Sequence, residues 1–347
     1  MYKDIINFKT NNEIVVTIGE GEYITPRIVE DNVIERHLVD EDKRKVYSVN
    51  KDSKYFPHDL DKSNLDRSLF WGREITNKYG QLEAAIVTSR ECLYNCAFCG
   101  GARSLNKDVT ARTRSMDNVK KEIQDIITQN PKVKSIRFLD DLFLRNEKSI
   151  KDCIEMFSNL NLNFRAMAHV LSLRNSLDLL PKLAKSGCKE LEVGIESGSE
   201  KIRDLIHKKG SINDVKIVVK STLDAGINVK GYFIYGLPDE TKSDVMETYM
   251  LAKELFQYSQ NTKGKFFTSA FQFRPYHGTE LYNKINKKIS YSHNDNLNNL
   301  SGRQQFNFTA GNFSDCNLDL IEELIISTNK MENLEYEFTE NSTLQEM

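Results

Sequence analysis

An α/β fold built round a parallel sheet is what this sequence predicts, and three observations predict it. Six apolar runs of strand length recur between residues 82 and 273. Segments with helical spacing separate them, and two of those segments end in glycine, the residue a helix C-terminus favours. Near-continuous apolar strands joined by helical crossovers require helices over the sheet faces, in an open doubly wound sheet or in a complete or partial barrel. The period alone does not choose between these.

The elements follow in order. Residues 1–80 are polar and mixed, with the charged stretches VDEDKRK and HDLDKSNLDRS and one apolar run, EIVVTIG, that reads as a strand; they form an N-terminal extension whose fold the pattern leaves open. The regular part, 81–280, holds the strands LEAAIVTS (82–89), VKSIRFLD (133–140), NFRAMAH (163–169), KELEVGIES (189–197), NVKGYFIYGL (228–237) and KFFTSAFQF (265–273). Between the first two lies SMDNVKKEIQDIITQN, where Met116, Val119, Ile123, Ile126 and Ile127 share one helical face behind Ser115 as N-cap. Similar stripes run through SLDLLPKLAKSG, SINDVKIVVKSTLDAG and TKSDVMETYMLAKELF. Residues 281–347, asparagine-rich and then helical in NLDLIEELIISTNKMENLEYEF, form a C-terminal extension expected to pack on or near the sheet.

Composition narrows the function. With 347 residues, 39% of them hydrophobic, the chain can bury a sizeable core. Lysine and arginine total 48 against 50 acidic residues, so a net charge of -2 gives no pull towards nucleic acid or an anionic membrane, and neither is expected as partner. No apolar run of about 18 residues occurs, and the start lacks the pattern of a secretory signal, so a cytoplasmic protein is expected. In that reducing compartment six sparse cysteines argue against a disulfide framework and for metal binding or catalysis.

Three of the six fall within eight positions. Cys92, Cys96 and Cys99 directly follow the first strand, where parallel α/β folds carry their active sites. Cys153, Cys188 and Cys316 are scattered singly and read as buried thiols, so a structural zinc site lacks a clear fourth ligand. Three thiolates suit a four-iron cluster that keeps one iron open.

The stretch CLYNCAFCGG resembles the signature of the radical S-adenosylmethionine superfamily, with Phe98 as the aromatic residue before the last cysteine. IRFLDDLFLRN after the second strand, VGIESGSEKIRDLIHKKGS after the fourth and KGYFIYGLPDET across the fifth are similar to the branch with cobalamin-dependent and methylthiotransferase-like members. The resemblance implies a partial (β/α)6 barrel of the TIM type. It also implies a [4Fe-4S] cluster on Cys92, Cys96 and Cys99 that binds S-adenosylmethionine and cleaves it reductively to a 5'-deoxyadenosyl radical, which abstracts hydrogen from a substrate.

By the same resemblance Phe98, Gly100, Ile234 and Gly236 lie near the adenine. Asp140 and Asp141 stand where the methionine ammonium is handled, Glu196 and Ser197 where ribose or methionine groups are held, and Arg203 pairs with the methionine carboxylate. The sequence carries LDDLF where other branches have Gly-Gly-Glu. His169, Arg274, Tyr276 and His277, at the ends of the third and sixth strands, are the candidates for substrate contact. Lys208 and Lys209 read as a solvated face. The expected partners are a small-molecule substrate, as in a biosynthetic pathway, and a reductant such as flavodoxin or ferredoxin; residues 1–80 are too short for a full cobalamin-binding domain. Modification of tRNA or another macromolecule, and a non-catalytic iron-sulfur or zinc protein, remain as alternatives.

Overall fold

The computed structural model describes residues 12–33, 38–41, 43–63, 65–70, 74–105, 109–276, 278–285 and 312–331. In the N-terminal part β1 (Ile14–Gly19) precedes α1 (Ile24–Val29), β2 (Val39–Glu41) and β3 (Arg44–Val49); β1 pairs with β3 in parallel and β2 with β3 antiparallel. Ile24, Tyr47, Val49, Tyr55 and Phe56 form a small core of their own there. Next come β4 (Ile75–Thr76), β5 (Leu82–Ile86), β6 (Ser89–Arg90) and β7 (Arg112–Thr113). The crossovers then alternate: α2 (Met116–Gln129), β8 (Ser135–Phe138), α3 (Glu147–Phe157), β9 (Asn163–Ala168), α4 (Val170–Arg174), α5 (Leu180–Lys185), β10 (Cys188–Glu196) and α6 (Glu200–Leu205). α7 (Ile212–Asp224), β11 (Asn228–Tyr235), α8 (Lys242–Ser259), β12 (Phe266–Gln272), α9 (Glu280–Ile285) and α10 (Leu318–Lys330) complete the chain.

Seven strands form one sheet in the order β12-β11-β10-β9-β8-β5-β4. Six of its strands, β5 and β8 to β12, are all parallel and each lies inside one of the six apolar runs, except that β10 starts one residue early, and the sheet curls into a partial barrel that settles the choice the periodicity left open. Helices begin where side chains satisfy their free N–H groups. Ser115 Oγ accepts from Asn118 N at 3.2 Å, and reciprocal caps pair Asn146 with Ser149, Ser211 with Asp214 and Thr241 with Asp244. The first run ends as a sheet strand at Ile86, short of expectation, because the Asp140 carboxylate binds Thr88 N at 3.1 Å and draws the chain out of the ladder into β6.

Alternate residues of each strand face opposite ways. Ile136, Phe138, Phe164, Ala166, Leu191, Val193, Val229 and Phe233 join the helix-covered core. α10 packs behind β12, with Thr268 Oγ1 donating to Thr328 O at 2.6 Å. The other face lines the lumen, and among the described residues no helix is long and apolar enough to cross a membrane.

Candidate active site at the barrel mouth

The lumen is polar in layers. At its floor Arg165 Nε donates to Glu83 Oε2 at 2.9 Å and Arg165 Nη1 reaches Glu190 at 3.3 Å; Lys78 Nζ lies 2.6 Å from Glu190, and Tyr79 donates to the same carboxylate at 2.6 Å. Asn77 and Ser135 complete the shell of Glu83. Burial pushes the Glu83 and Glu190 carboxyls up, yet these partners outweigh it and hold both below the usual range. Above the floor Arg137 Nη2 donates to Glu192 at 3.1 Å and Tyr232 donates its hydroxyl to Glu192 at 2.5 Å.

The mouth carries the cysteines. Their loop is held at both ends: Ala97 N donates to Ile206 O, Leu281 N to Ala97 O and Arg103 N to Tyr94 O. Arg112 clamps its base to the N-terminal part, bonding Glu91 and Glu20, donating to Pro57 O at 2.6 Å and covering the Phe56 ring. Cys96 is buried, and Cys92 and Cys99 are half-buried. Burial pushes the Cys96 thiol up to about 11 and raises Cys99, while the Lys208 charge opposes the shift at Cys96. Among the described residues no three His, Cys, Asp or Glu side chains close round a single-ion position.

Lys208 corrects the reading of a solvated face. Its side chain is 8% exposed and its Nζ lies 2.9 Å from Glu196. Burial disfavours its charge, but Glu196 and Cys96 hold its pKa above the ordinary value. The pair sits over Gly194, where an added Cβ would fall 2.2 Å from Glu196 Oε1 and 2.7 Å from Lys208 Nζ. Glu196 itself takes a φ of 68° at a bulge in β10, a left-handed conformation uncommon outside glycine.

His169, at the end of β9, stacks on Tyr94 of the cysteine loop with ring centroids 3.6 Å apart. Its Nδ1 accepts from Leu171 N at 3.1 Å, so the ring proton sits on Nε2. That N–H is buried and has no partner among the described residues. Burial, Lys208 and Arg203 push the imidazole down to about 3, so it is neutral at pH 7. Arg145, missed by the sequence reading, lies half-buried within electrostatic reach of Asp140 and Cys92 and forms no ion pair among the described residues.

Other expected residues fall as follows. Phe98 and Ile234 meet in one apolar cluster with Ala97, Ile206 and Leu237. Gly100 faces open space, and Asp141 is exposed beside Gly101, whose added Cβ would come within 3.2 Å of its carboxylate. Gly236 has φ 80° and donates its N–H to Glu240 at 2.6 Å.

Asp140, Ser197 and Arg203, expected as cofactor contacts, each have partners within the protein. Asp140 spends its acceptors on Thr88 and Ser89. Ser197 Oγ bonds Thr248 and accepts from Ser199 N. Arg203, 1% exposed, donates to the carbonyls of Ile195, Ser197, Lys209 and Gly210. All three help to hold the strand ends. Arg274 is half-buried and Tyr276 exposed; His277 lies outside the described residues. A cleft of about 740 Å³ opens beside β5, where Ala85, Val87 and Leu139 line the unclosed side of the barrel.

Helices lie outside a partial barrel, and the three-cysteine loop sits at the C-terminal strand ends, where enzymes of this architecture carry their active sites. The model of the Radical SAM superfamily matches residues 86–252, and that family works with a [4Fe-4S] cluster and S-adenosylmethionine. An uncharacterized methyltransferase of Pyrococcus horikoshii is 32% identical over 200 residues, 57% of this chain and 40% of that protein. The anaerobic magnesium-protoporphyrin IX monomethyl ester cyclase of Rubrivivax gelatinosus is 25% identical over 198 residues, 56% of this chain and 35% of that one. The chain thus spans well under half the length of these relatives. The structure of the cobalamin-dependent S-adenosylmethionine radical enzyme OxsB with aqua-cobalamin and S-adenosylmethionine bound superposes with a TM-score of 0.61 at 16% identity, over 88% of this chain and 49% of that one, a likeness of fold.

Proposed function

We propose that this chain catalyses a radical S-adenosylmethionine reaction on a small molecule held in the lumen, with Cys92, Cys96 and Cys99 as the cluster ligands. The observation that carries the reading is the cysteine loop itself, pinned over the strand ends and facing an unpartnered buried donor, His169 Nε2–H. When bound, the cluster and S-adenosylmethionine supply a one-electron reductive cleavage to methionine and a 5'-deoxyadenosyl radical that takes hydrogen from the substrate.

The chain's own residues do the holding. Lys208 offsets the cost of burying thiolates, and Asp140 fixes Thr88 and Ser89 at the root of the loop. His169 Nε2–H and Arg145 offer donors to the anionic end of the methionine part, which suits a carboxylate. Phe98 and Ile234 offer an apolar face to the adenine. Asp141 and Glu196, the acidic groups nearest the cysteines, offer acceptors for an ammonium or a ribose hydroxyl. The paired floor closes the lumen below, which keeps water from a reactive intermediate. The electron comes from a protein donor of the flavodoxin or ferredoxin kind.

Anaerobic reconstitution with iron and sulfide, followed by S-adenosylmethionine and dithionite, tests the reading. 5'-Deoxyadenosine is the expected product, and Cys96→Ala should abolish both cluster and cleavage. A fully loaded cluster that forms no 5'-deoxyadenosine overturns it. A second reading, methyl transfer, is supported by the Pyrococcus horikoshii relative's name as a methyltransferase. Its mark would be S-adenosylhomocysteine among the products.

A further inference from the structure

The middle layer of the lumen has a charge imbalance that the floor below it lacks. On the floor Glu83 and Glu190 are matched by Arg165 and Lys78, and at the mouth Glu196 is matched by Lys208. Between them two cations, Arg137 and Lys230, face one carboxylate, Glu192. Lys230 stands directly opposite Glu192 in the β10–β11 register, yet Glu192 is already taken by Arg137 and Tyr232. Lys230 makes no ion pair among the described residues; its ammonium lies only over the Tyr232 ring, 5.7 Å from the centroid. Arg137 uses a single nitrogen on Glu192, leaving Nε and Nη1 available, and its side chain is 34% exposed.

We infer that this layer binds the carboxylate of the substrate, an inference that rests on the radical reading of the mouth and names the substrate class for it. A monoanion cancels the excess of one positive charge. A phosphate ester, carrying about -1.5 to -2 at neutral pH, over-neutralises it. The wall beside the layer is aromatic, with Tyr232 and Phe271 stacked at 6.3 Å and Phe267 one strand across from Lys230. From Glu192 to Glu196 the strand advances three register steps across the bulge, about 10 Å. A substrate that docks its carboxylate on Arg137 and Lys230 and presents a carbon to the mouth therefore has a ring-sized spacer between the two. The class is an aromatic or other ring compound bearing one carboxylate.

The probes are 2-naphthoate, 2-naphthamide and 2-naphthyl phosphate, alike in ring and different in charge, titrated against the reconstituted protein by fluorescence. Naphthoate is expected to bind at least about tenfold tighter than naphthamide, the yield of one charge-assisted contact, and tighter than the phosphate. Lys230→Gln, which strands no partner and so leaves folding intact, should reduce the ratio severalfold. Arg137→Gln combined with Lys230→Gln should bring it close to one. Equal binding of naphthoate and naphthamide, or discrimination that survives the double substitution, overturns the carboxylate site. Tighter binding of the phosphate overturns the monoanion assignment. 5'-Deoxyadenosine formation is read separately on the wild-type protein: discrimination without cleavage sinks only the radical reading, and cleavage without discrimination sinks only this one.

Discussion

The two ends of the lumen are built from the same kinds of side chain and differ in whether those side chains have partners. At the floor every charge is matched, with Arg165 between Glu83 and Glu190 and Lys78 and Tyr79 closing the set. At the mouth His169 Nε2–H and the Arg145 guanidinium have no partner among the described residues, and two thiols are pushed up by burial. Satisfied networks rigidify a core, and unsatisfied buried groups cost stability unless a ligand completes them. The floor is therefore complete without a ligand, whereas the mouth leaves donors that a ligand would complete.

The largest effect should come from unbalancing the floor. Arg165→Met leaves two buried carboxylates facing each other, and urea denaturation should show a loss of about 3–5 kcal/mol. A loss below about 1 kcal/mol would mean that water enters the floor and that the contrast with the mouth is false. A smaller, pH-dependent effect is expected at Glu240, behind the mouth. Its Oε2 accepts from Gly236 and Leu237, its Oε1 is buried with no partner among the described residues, and burial pushes its pKa up to about 8. Because the folded value lies above the unfolded one, the folded chain binds the extra proton. Its contribution is complete below about pH 4.5 and lost as the pH rises to about 8. Glu240→Gln should therefore raise the melting temperature at pH 8 and leave it little changed at pH 5. An equal effect at both pH values would remove Glu240 as the titrating group.

The sheet and the cysteine loop were legible in the sequence because both are local. Six apolar runs and three closely spaced thiols each declare themselves within ten residues. The short helices α4, α6 and α9 carry too few turns to show a period. Lys208 was illegible for another reason: HKKG reads as a solvated turn until β10 brings Glu196 within 2.9 Å of it. Asp140 and Arg203 were placed at the right strand ends, but sequence spacing cannot tell a carboxylate turned towards a ligand from one turned onto Thr88. The lumen did leave a trace. Glu190, Glu192, Gly194 and Glu196 alternate through a strand read as continuously apolar, and charges at every second position mark a face that turns away from the helices.

His169→Asn gives the smallest change in stability and the sharpest test of the contrast. Asparagine can still accept from Leu171 N, so the start of α4 keeps its cap, and what disappears is the Nε2 donor together with the stack on Tyr94. Asparagine brings an Nδ2 amide of its own into the site, so the cost of an unpaired buried donor is not relieved and the lost stack sets the change, about 1 kcal/mol of stability. Binding should not stay level. If Nε2–H donates to S-adenosylmethionine, its loss weakens affinity about fivefold to tenfold, measured by calorimetry on the reconstituted protein without reductant. Because the imidazole is held neutral down to about pH 3, that difference should be the same at pH 6 and pH 8. A variant that loses stability and keeps its affinity would place His169 with the floor, as a structural residue that happens to stand at the mouth.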